Sequence, residues 1–324
     1  MTMTRMVTLA LVVSVGLAAG ACHRDGGKAK TLRIAIQPAP LYGPIFVAKP
    51  QGWIEQELGP KGVSVTWTSF PSGPPENESF AAGEQDVGVM GDSPAIIARS
   101  AGQQTRVVGM SATGPSMLAV VVPTASKIAS PADLKGKKVA VVKGSYAHHL
   151  LALVLEGAHL GFGDVELVNL SHADIGTALQ KGEIDAGAVW EPLLTKLVSD
   201  GTARVLQDGT GIKKGALVII ARQPFAEKNP ELVQAVLRAY QRGNVYIRQH
   251  PAEAAELVSR EVHLEAARLQ KILERADFDP VLHGDDVEEL KKSESFMHGV
   301  GITKTAVDID AFIDRQYALA AGVR

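Results

Sequence analysis

Short polar turns recur in this sequence where an apolar, strand-like run passes into a helix, and they carry the residues able to do chemistry. They are Gln37 to Gly43, Ser69 to Pro75, Gly91 to Pro94, Lys143 to His148, Ser171 to Asp174 and Trp190 to Pro192. Several start a helix with Ser or Gly beside Pro, which leaves backbone N–H groups unpaired and the positive end of the helix dipole facing the turn. Such an end is a site for a small anion. There is no phosphate loop of the Walker kind and no G-x-G-x-x-G after a strand, so nucleotide binding is not indicated. His148 and His149 are adjacent and so point to different parts of a helix; with no cysteine partners, a metal site is not indicated. No nucleophile, base and orienting partner stand at matching turns, which argues against catalysis.

The elements that must position these turns alternate strictly. Leu32, Ile34 and Ile36 alternate in a first strand, and the spacing from Tyr42 to about Trp53 suits a helix with Gly52 near its end. "VSVTWTS" is a second strand. In "SGPPENESFAAG", Ser72 suits a helix cap, Pro74 and Pro75 its first turn, and Gly83 a left-handed close. "DVGVM" is a short buried strand, and "GDSP" turns the chain into another helix. This order predicts an α/β fold with parallel strands.

The sequence also matches itself. "GEQDVGVMGD", Gly83 to Asp92, aligns without gaps to "GEIDAGAVWE", Gly182 to Glu191. "LRIAIQ" and "VSVTWTS" have counterparts in "KKVAVVKG" and "DVELVNLS". Two similarly built lobes follow, with "SMLAVVVP" and "GALVIIARQ" as hinge strands between them. The expected lobes are residues 31–118 with 219–324, and residues 119–218. Two hinge strands suit a clamshell that closes on a ligand, and in parallel sheets that ligand sits outside the carboxyl ends of the strands.

The N-terminal residues indicate where the protein works. Arg5, an apolar or small stretch from Met6 to Ala21 and then the single cysteine, Cys22, read as an export signal over residues 1–21. Ala19, Gly20 and Ala21 before Cys22 resemble the lipobox of bacterial lipoproteins, which would make Cys22 a lipidated N-terminus and residues 22–30 a tether to a membrane. With one cysteine no intrachain disulfide forms. The 33 Lys plus Arg against 35 Asp plus Glu give no basic excess and no support for nucleic-acid binding.

At "SFPSGPP", "AAGEQDVGVMGDSPAIIARSAG", "DLKGKKVAVVKGSYAHHLL" and "GEIDAGAVWEPLL" the sequence resembles the periplasmic binding proteins of ABC importers, in the aliphatic sulphonate, taurine and nitrate group. The resemblance covers nearly all of the chain after the export signal. It implies a two-lobed type II fold with two parallel-rich sheets, no cofactor, a small anionic ligand in the cleft and delivery to an inner-membrane ABC permease. "SGPP" and "GDSP" are most similar to the sulphonate binders. Two features depart from the family: Glu191 stands where an aspartate is usual after the tryptophan, and Glu76 and Glu78 stand where apolar residues are usual.

A sulphonate is a fixed anion that needs donors only. Ser72, Gly73, Ser93 and Ser145 supply them in this reading, with Gln37, Thr113 and His148 as further donors and Trp190 over the organic part. Tyr42, Pro74, Asp92, Lys143, Gly144 and Glu191 complete the candidate site. Each has a second reading. Ser72 and Ser93 also suit helix caps, Lys143 a solvated strand end, Trp190 a core position under the hinge. Asp86 and Asp185 repeat at equal places and read as structural. Glu76 and Glu78 suit a helix first turn, yet facing the cleft they would repel an anion, and Glu191 there would favour a ligand with an amino group. The expected function is a binding lipoprotein for a sulphonate, with taurine, nitrate or a pyrimidine precursor as alternatives in the same fold. An enzyme on a related fold and a structural surface lipoprotein are the other classes.

Overall fold

The computed structural model describes residues 30–323. The export signal and Cys22 lie outside the described residues, as does all but the last residue of the tether. Ten strands form two five-stranded sheets. β1 (Lys30–Ile36), β2 (Val63–Ser69), β3 (Val87–Gly91), β4 (Thr105–Thr113) and β10 (Ala216–Arg222) make the first, in the order β2-β1-β3-β10-β4. β5 (Leu118–Pro123), β6 (Lys138–Val141), β7 (Glu166–Asn169), β8 (Ala186–Trp190) and β9 (Ala203–Asp208) make the second, in the order β7-β6-β8-β5-β9.

The two orders are the same pattern. In each sheet three strands run parallel, and the fourth position holds a strand antiparallel to both neighbours, β10 in one and β5 in the other. The sheets are therefore mixed, where the strict alternation of the sequence predicted parallel strands throughout. The two apolar runs read as hinges each lie within a single sheet: β5 starts at Leu118 in the second, and β10 runs from Ala216 in the first. The passage between sheets is made instead by Gly114–Met117 and by residues 209–215, which lie side by side: Gly114 N–H donates to Lys214 O (3.1 Å) and Gly209 N–H to Pro115 O (2.9 Å). Sequence boundaries at 118/119 and 218/219 fall inside these strands. The helix read over Tyr42–Trp53 is two helices, Gly43–Ala48 and Trp53–Leu58, parted by Gly52 at φ +62°.

Strand periodicity divides the core. On β1, Leu32, Ile34 and Ile36 face one layer with Phe46, Val236 and Tyr240, while Ala35 faces the other with Phe80, Met90 and Ile96. The second sheet splits the same way, with Val139 and Val141 against Leu150 and Leu151, and Ala140 against Ile175 and Leu179.

The repeated aspartates fasten equivalent places. Arg33 N–H donates to Asp86 and Asp86 N–H to Arg33 O; Lys138 N–H donates to Asp185 and Asp185 N–H to Lys138 O. Asp86 is buried and also takes the Arg33 Nε and both guanidinium groups of Arg33 and Arg222, tying β1, β3 and β10 together. Asp185 is exposed and holds one backbone N–H. Asp86→Ala is expected to cost about 3 kcal/mol and Asp185→Ala about 1 kcal/mol in urea unfolding, because only the first strands charged partners at a buried carboxylate.

Candidate functional site

The carboxyl ends of β1, β2 and β3 in one sheet and of β6, β7 and β8 in the other line one cleft, part of an open cavity of about 1180 Å³ that continues past Gly83 and Gln104 to Arg222 at the other end of the first sheet. Ten of the fourteen residues expected at a ligand site lie on its wall: Gln37, Tyr42, Ser72, Gly73, Pro74, Lys143, Gly144, Ser145, Trp190 and Glu191. Asp92, Ser93, Thr113 and His148 do not.

The helix Gly73–Ala81 begins at the cleft with Ser72 in extended conformation, and the Ser72 side chain makes no capping bond. Pro74 and Pro75 take first-turn positions where an N–H would otherwise be unmet. The Ser72 hydroxyl and the Ser72 and Gly73 N–H groups have no partner among the described residues. Gly73 permits close contact with the next turn, since a Cβ there would come within 2.6 Å of Pro94, and Asn77 Nδ2 donates to Pro94 O at 2.9 Å. The "SGPP" and "GDSP" turns are thus locked edge to edge.

The facing sheet supplies a different surface. Gly144, at φ +81°, turns the chain into the helix Tyr146–Gly157, where Ser145 does cap, accepting from His148 N–H at 3.2 Å. Lys143 is exposed at the rim with no carboxylate partner among the described residues. Trp190 stacks on His172 at 3.8 Å and 8°, with Tyr146 tilted against it at 5.5 Å. The Trp190 backbone N–H donates to His172 Nε2 at 3.3 Å, and burial lowers His172 to about 4, so its ring is neutral. The Tyr146 hydroxyl is buried with no partner, and burial raises its pKa. His172 and Tyr146 stand in turns already marked by the sequence, yet neither was singled out there; a buried aromatic set around Trp190 is visible only once β7 and β8 are paired beside β6.

Three-dimensional packing redirects the other four. Asp92 Oδ1 accepts from the Ser93 N–H and hydroxyl, its Oδ2 accepts from Ser293 at 2.6 Å, and Lys213 Nζ lies 3.7 Å away, all buried. Lys213 also donates to Glu289 (2.7 Å) and Ser293 (3.1 Å) and approaches His149 Nδ1 (3.1 Å). Burial, then the Lys213 charge, lowers His149 to about 2, leaving it a neutral acceptor. His148 stacks on Phe162 at 4.9 Å and meets the edge of Phe296, with Nδ1 accepting from Gly144 N–H at 3.4 Å. Burial and the Lys143 charge lower it to about 4. Thr113 ends β4, its backbone exchanging hydrogen bonds with Asp277.

The carboxylates at issue are neutralised. Glu191 is buried and bound to Thr195 N–H (3.0 Å), the Thr195 hydroxyl (2.8 Å) and Arg275 (2.6 Å). Glu76 is fully buried, accepting from Gln37 Nε2 at 2.7 Å, and burial pushes it up to about 8 against the opposing Gln37 hydrogen bond. Burial therefore favours its neutral form at neutral pH. Glu78 alone of the three is exposed, at the rim.

With this geometry, comparison with known proteins is direct. The NMT1/THI5-like family matches residues 39–254. The chain belongs to that family. A protein of Escherichia coli (strain K12) named for binding aliphatic sulfonates is 33% identical over 76% of each chain. The family fold is seen in the periplasmic aliphatic sulphonate binding protein SsuA from Escherichia coli, with TM-score 0.81 and 28% identity, covering 90% of this chain and 100% of that one. The alkanesulfonate-binding protein SsuA from Xanthomonas axonopodis pv. citri, bound to MOPS, gives 0.78 and 27% over 89% and 98%. The two-lobed α/β fold expected from the sequence is the fold of this family.

Removing Arg275 leaves Glu191 buried without its cation. Burial raises the Glu191 pKa above its ordinary value, so the folded protein loses stability as pH rises and Glu191 ionises. Arg275→Met is expected to cost about 2 kcal/mol at pH above the Glu191 midpoint and less below it, the figure reduced because Arg275 is partly exposed. Adding Glu191→Gln should remove that pH dependence in denaturant titrations.

Proposed function

We propose that the protein is the solute-binding component of an ABC importer and captures an aliphatic sulphonate in the cleft. The observation that carries this reading is the unused donor set of Ser72 and Gly73 on the cleft wall at a helix N-terminus, with the unpaired ammonium of Lys143 at the same cleft's rim. A sulphonate has acceptors alone, and these groups donate. Asp92, Glu76 and Glu191 do not oppose it, being ion-paired or uncharged. The Trp190–His172–Tyr146 surface covers the organic part of the ligand. Names of the relatives point the same way.

In this reading residues 1–21 export the chain, Cys22 carries the lipid that anchors it at a membrane facing the periplasm, and lobes near residues 31–118 with 219–324 and 119–218 close on the ligand for an inner-membrane permease. Closure is favoured by the extra contacts the ligand makes with both lobes together. Catalysis is not part of the reading: the cleft histidine, His172, already spends its Nε2 on Trp190 N–H. Glu191, held by Arg275, is not free to take an amino group, which leaves the exposed rim residue Glu78 as the one unpaired carboxylate lining the cleft among the described residues.

Thermal unfolding with ethanesulphonate, MOPS, taurine and nitrate tests this. A sulphonate at a hundredfold excess over its Kd is expected to add about 2.7 kcal/mol of stability. If none of these ligands stabilises the protein while another class does, the sulphonate reading fails. Lys143→Met is expected to weaken sulphonate binding about threefold to tenfold and to flatten its salt dependence in calorimetric titrations.

A further inference from the structure

Gln37 and Glu76 form a polar pair where the molecule's own repeat has an apolar one. The registers Ile34 to Val87 and Val139 to Ala186 make Gln37 equivalent to Val142, and the self-match that equates Gly83 with Gly182 makes Glu76 equivalent to Ile175. The environments correspond as well. A methyl on Gly88 would overlap Glu76 Oε1 and press on Phe80 and Ala35; one on Gly187 would overlap Ile175 and press on Leu179. The fold thus fills this place with isoleucine in one lobe and with a fully buried glutamate in the other.

The hydrogen bonding is incomplete in a way that points at the cleft. Both hydrogens of the Gln37 amide are used, on Glu76 Oε2 at 2.7 Å and Val89 O at 3.3 Å, which leaves its oxygen without a partner among the described residues, on a side chain that lines the cleft. Glu76 Oε1 is buried without a partner, against Gly88. A proton on this carboxyl finds an acceptor in its existing partner, the Gln37 amide, whose oxygen takes the place of its nitrogen after a half-turn at little change of shape. That rotation gives up the long contact with Val89 and turns the NH2 group into the cleft.

We propose that Glu76 is a positioning residue that sets which end of the Gln37 amide faces the cleft, and so whether the ligand's anionic head meets a donor or an acceptor there. Protonated Glu76 donates to the Gln37 oxygen and directs NH2 at the ligand; ionised Glu76 accepts from Nε2 and directs the oxygen at it. The structure holds the arrangement in which Glu76 accepts; burial raises Glu76 to about 8, so the donor arrangement is expected to gain as pH falls below that value and to give way above it. The other titratable groups around the pair are already committed. Tyr42, on the turn after β1, is kept protonated by burial and by the Glu76 charge; Asp92 at the end of β3 is held by Ser93, Ser293 and Lys213. Arg33, Asp86 and Arg222 bind one another at the far end of β1, β3 and β10, Arg99 of the neighbouring helix donates to Gln103 and Thr105 carbonyls, and Glu78 on the same helix is exposed. Gln37 is the one hydrogen-bond partner of the Glu76 carboxyl among the described residues.

The proposal rests on the anion reading of the cleft, and the experiment separates the two. In ligand-free protein, the Gln37 side-chain amide resonance, located by its loss in Gln37→Leu, is followed from about pH 6 to about pH 10. It is expected to shift with a midpoint near 8 in the native protein and to stay flat in Glu76→Gln, whose amide donates to Gln37 at every pH. Ethanesulphonate affinity is expected to fall roughly tenfold or more over that range in the native protein and to hold at its acid-side value in Glu76→Gln. Glu76→Ile, which copies the second lobe, should fold and bind with no such pH dependence. A flat Gln37 resonance in the native protein, or the same loss of affinity with pH in Glu76→Gln, overturns the proposal. A responsive resonance with no ethanesulphonate binding at any pH upholds the positioning and overturns the anion reading instead.

Discussion

Everything at the cleft depends on the two passages between sheets lying against each other. A Cβ on Gly215 would come within 2.8 Å of Gly114 O, and one on Gly209 within 2.6 Å of Pro115 O, so glycine is what lets the crossing backbones touch. Gly215 also holds φ +68°, a region that side-chain-bearing residues rarely adopt. Because the crossings are adjacent, each sheet receives as its fourth strand the segment that has just arrived from the other, β5 in one and β10 in the other. That exchange fixes both sets of parallel strands with their carboxyl ends toward a shared cleft. Short, hydrogen-bonded passages of this kind absorb rotation of one lobe against the other without breaking either sheet.

The same geometry explains why buried carboxylates sit so near a site that suits an anion. Asp92 and Glu191 end equivalent strands, β3 and β8, and both are fully buried. Each is met by a cation from a distant part of the chain, Lys213 on the second crossing and Arg275 in the C-terminal region. An unpaired buried carboxylate would be costly, and here each pairing also spans elements of both sheets. Lys213 reaches His149 beside the second sheet while bound to Glu289 and Ser293 of the C-terminal helix Gly284–Gly299, and Arg275 reaches β8 from outside it. The carboxylates therefore act as ties between the lobes, and the potential in the cleft is left to Lys143, the open helix end and the exposed Glu78 at the rim.

Much of this was legible in the sequence, and the limit is a physical one. Features set by neighbouring residues were readable: the helix started by "SGPP", the positive-φ glycines Gly83 and Gly182, and the turns that carry ten of the expected cleft residues. The self-match exposed the repeat because Asp86 and Asp185 close the same backbone ring. Side-chain direction was not readable where the partner lies far along the chain. Ser93 and Asp92 were assigned to the cleft because they sit in a polar turn, but Ser293, 201 residues away from Asp92, turns that carboxylate inward. His148 sits one turn into its helix, where Phe162 and Phe296 sandwich it away from the opening. Lys213 and Arg275 belong to no turn or repeat, so nothing local marked them. For Glu76 the residue type was visible as an anomaly, but its charge state follows from burial, which only the packed sheet sets.

Where the repeat is broken, the two walls of the cleft differ in the way the proposed amphipathic anion requires. Gly91 of the first lobe is equivalent to Trp190 of the second, so one wall is cut back to backbone while the other carries a large ring. The first lobe adds the Gln37–Glu76 pair and the uncapped Ser72 helix, all polar, where the second has Val142 and Ile175 and a helix capped by Ser171. A charged head needs unmet donors and pays heavily for any unmatched acceptor, whereas an organic group needs area and shape; placing the two demands on opposite walls lets either be changed without disturbing the other. In the function proposed above, closure brings head and body contacts together only when one molecule supplies both, which favours ligands with an anionic end and an apolar end over inorganic anions that satisfy one wall alone.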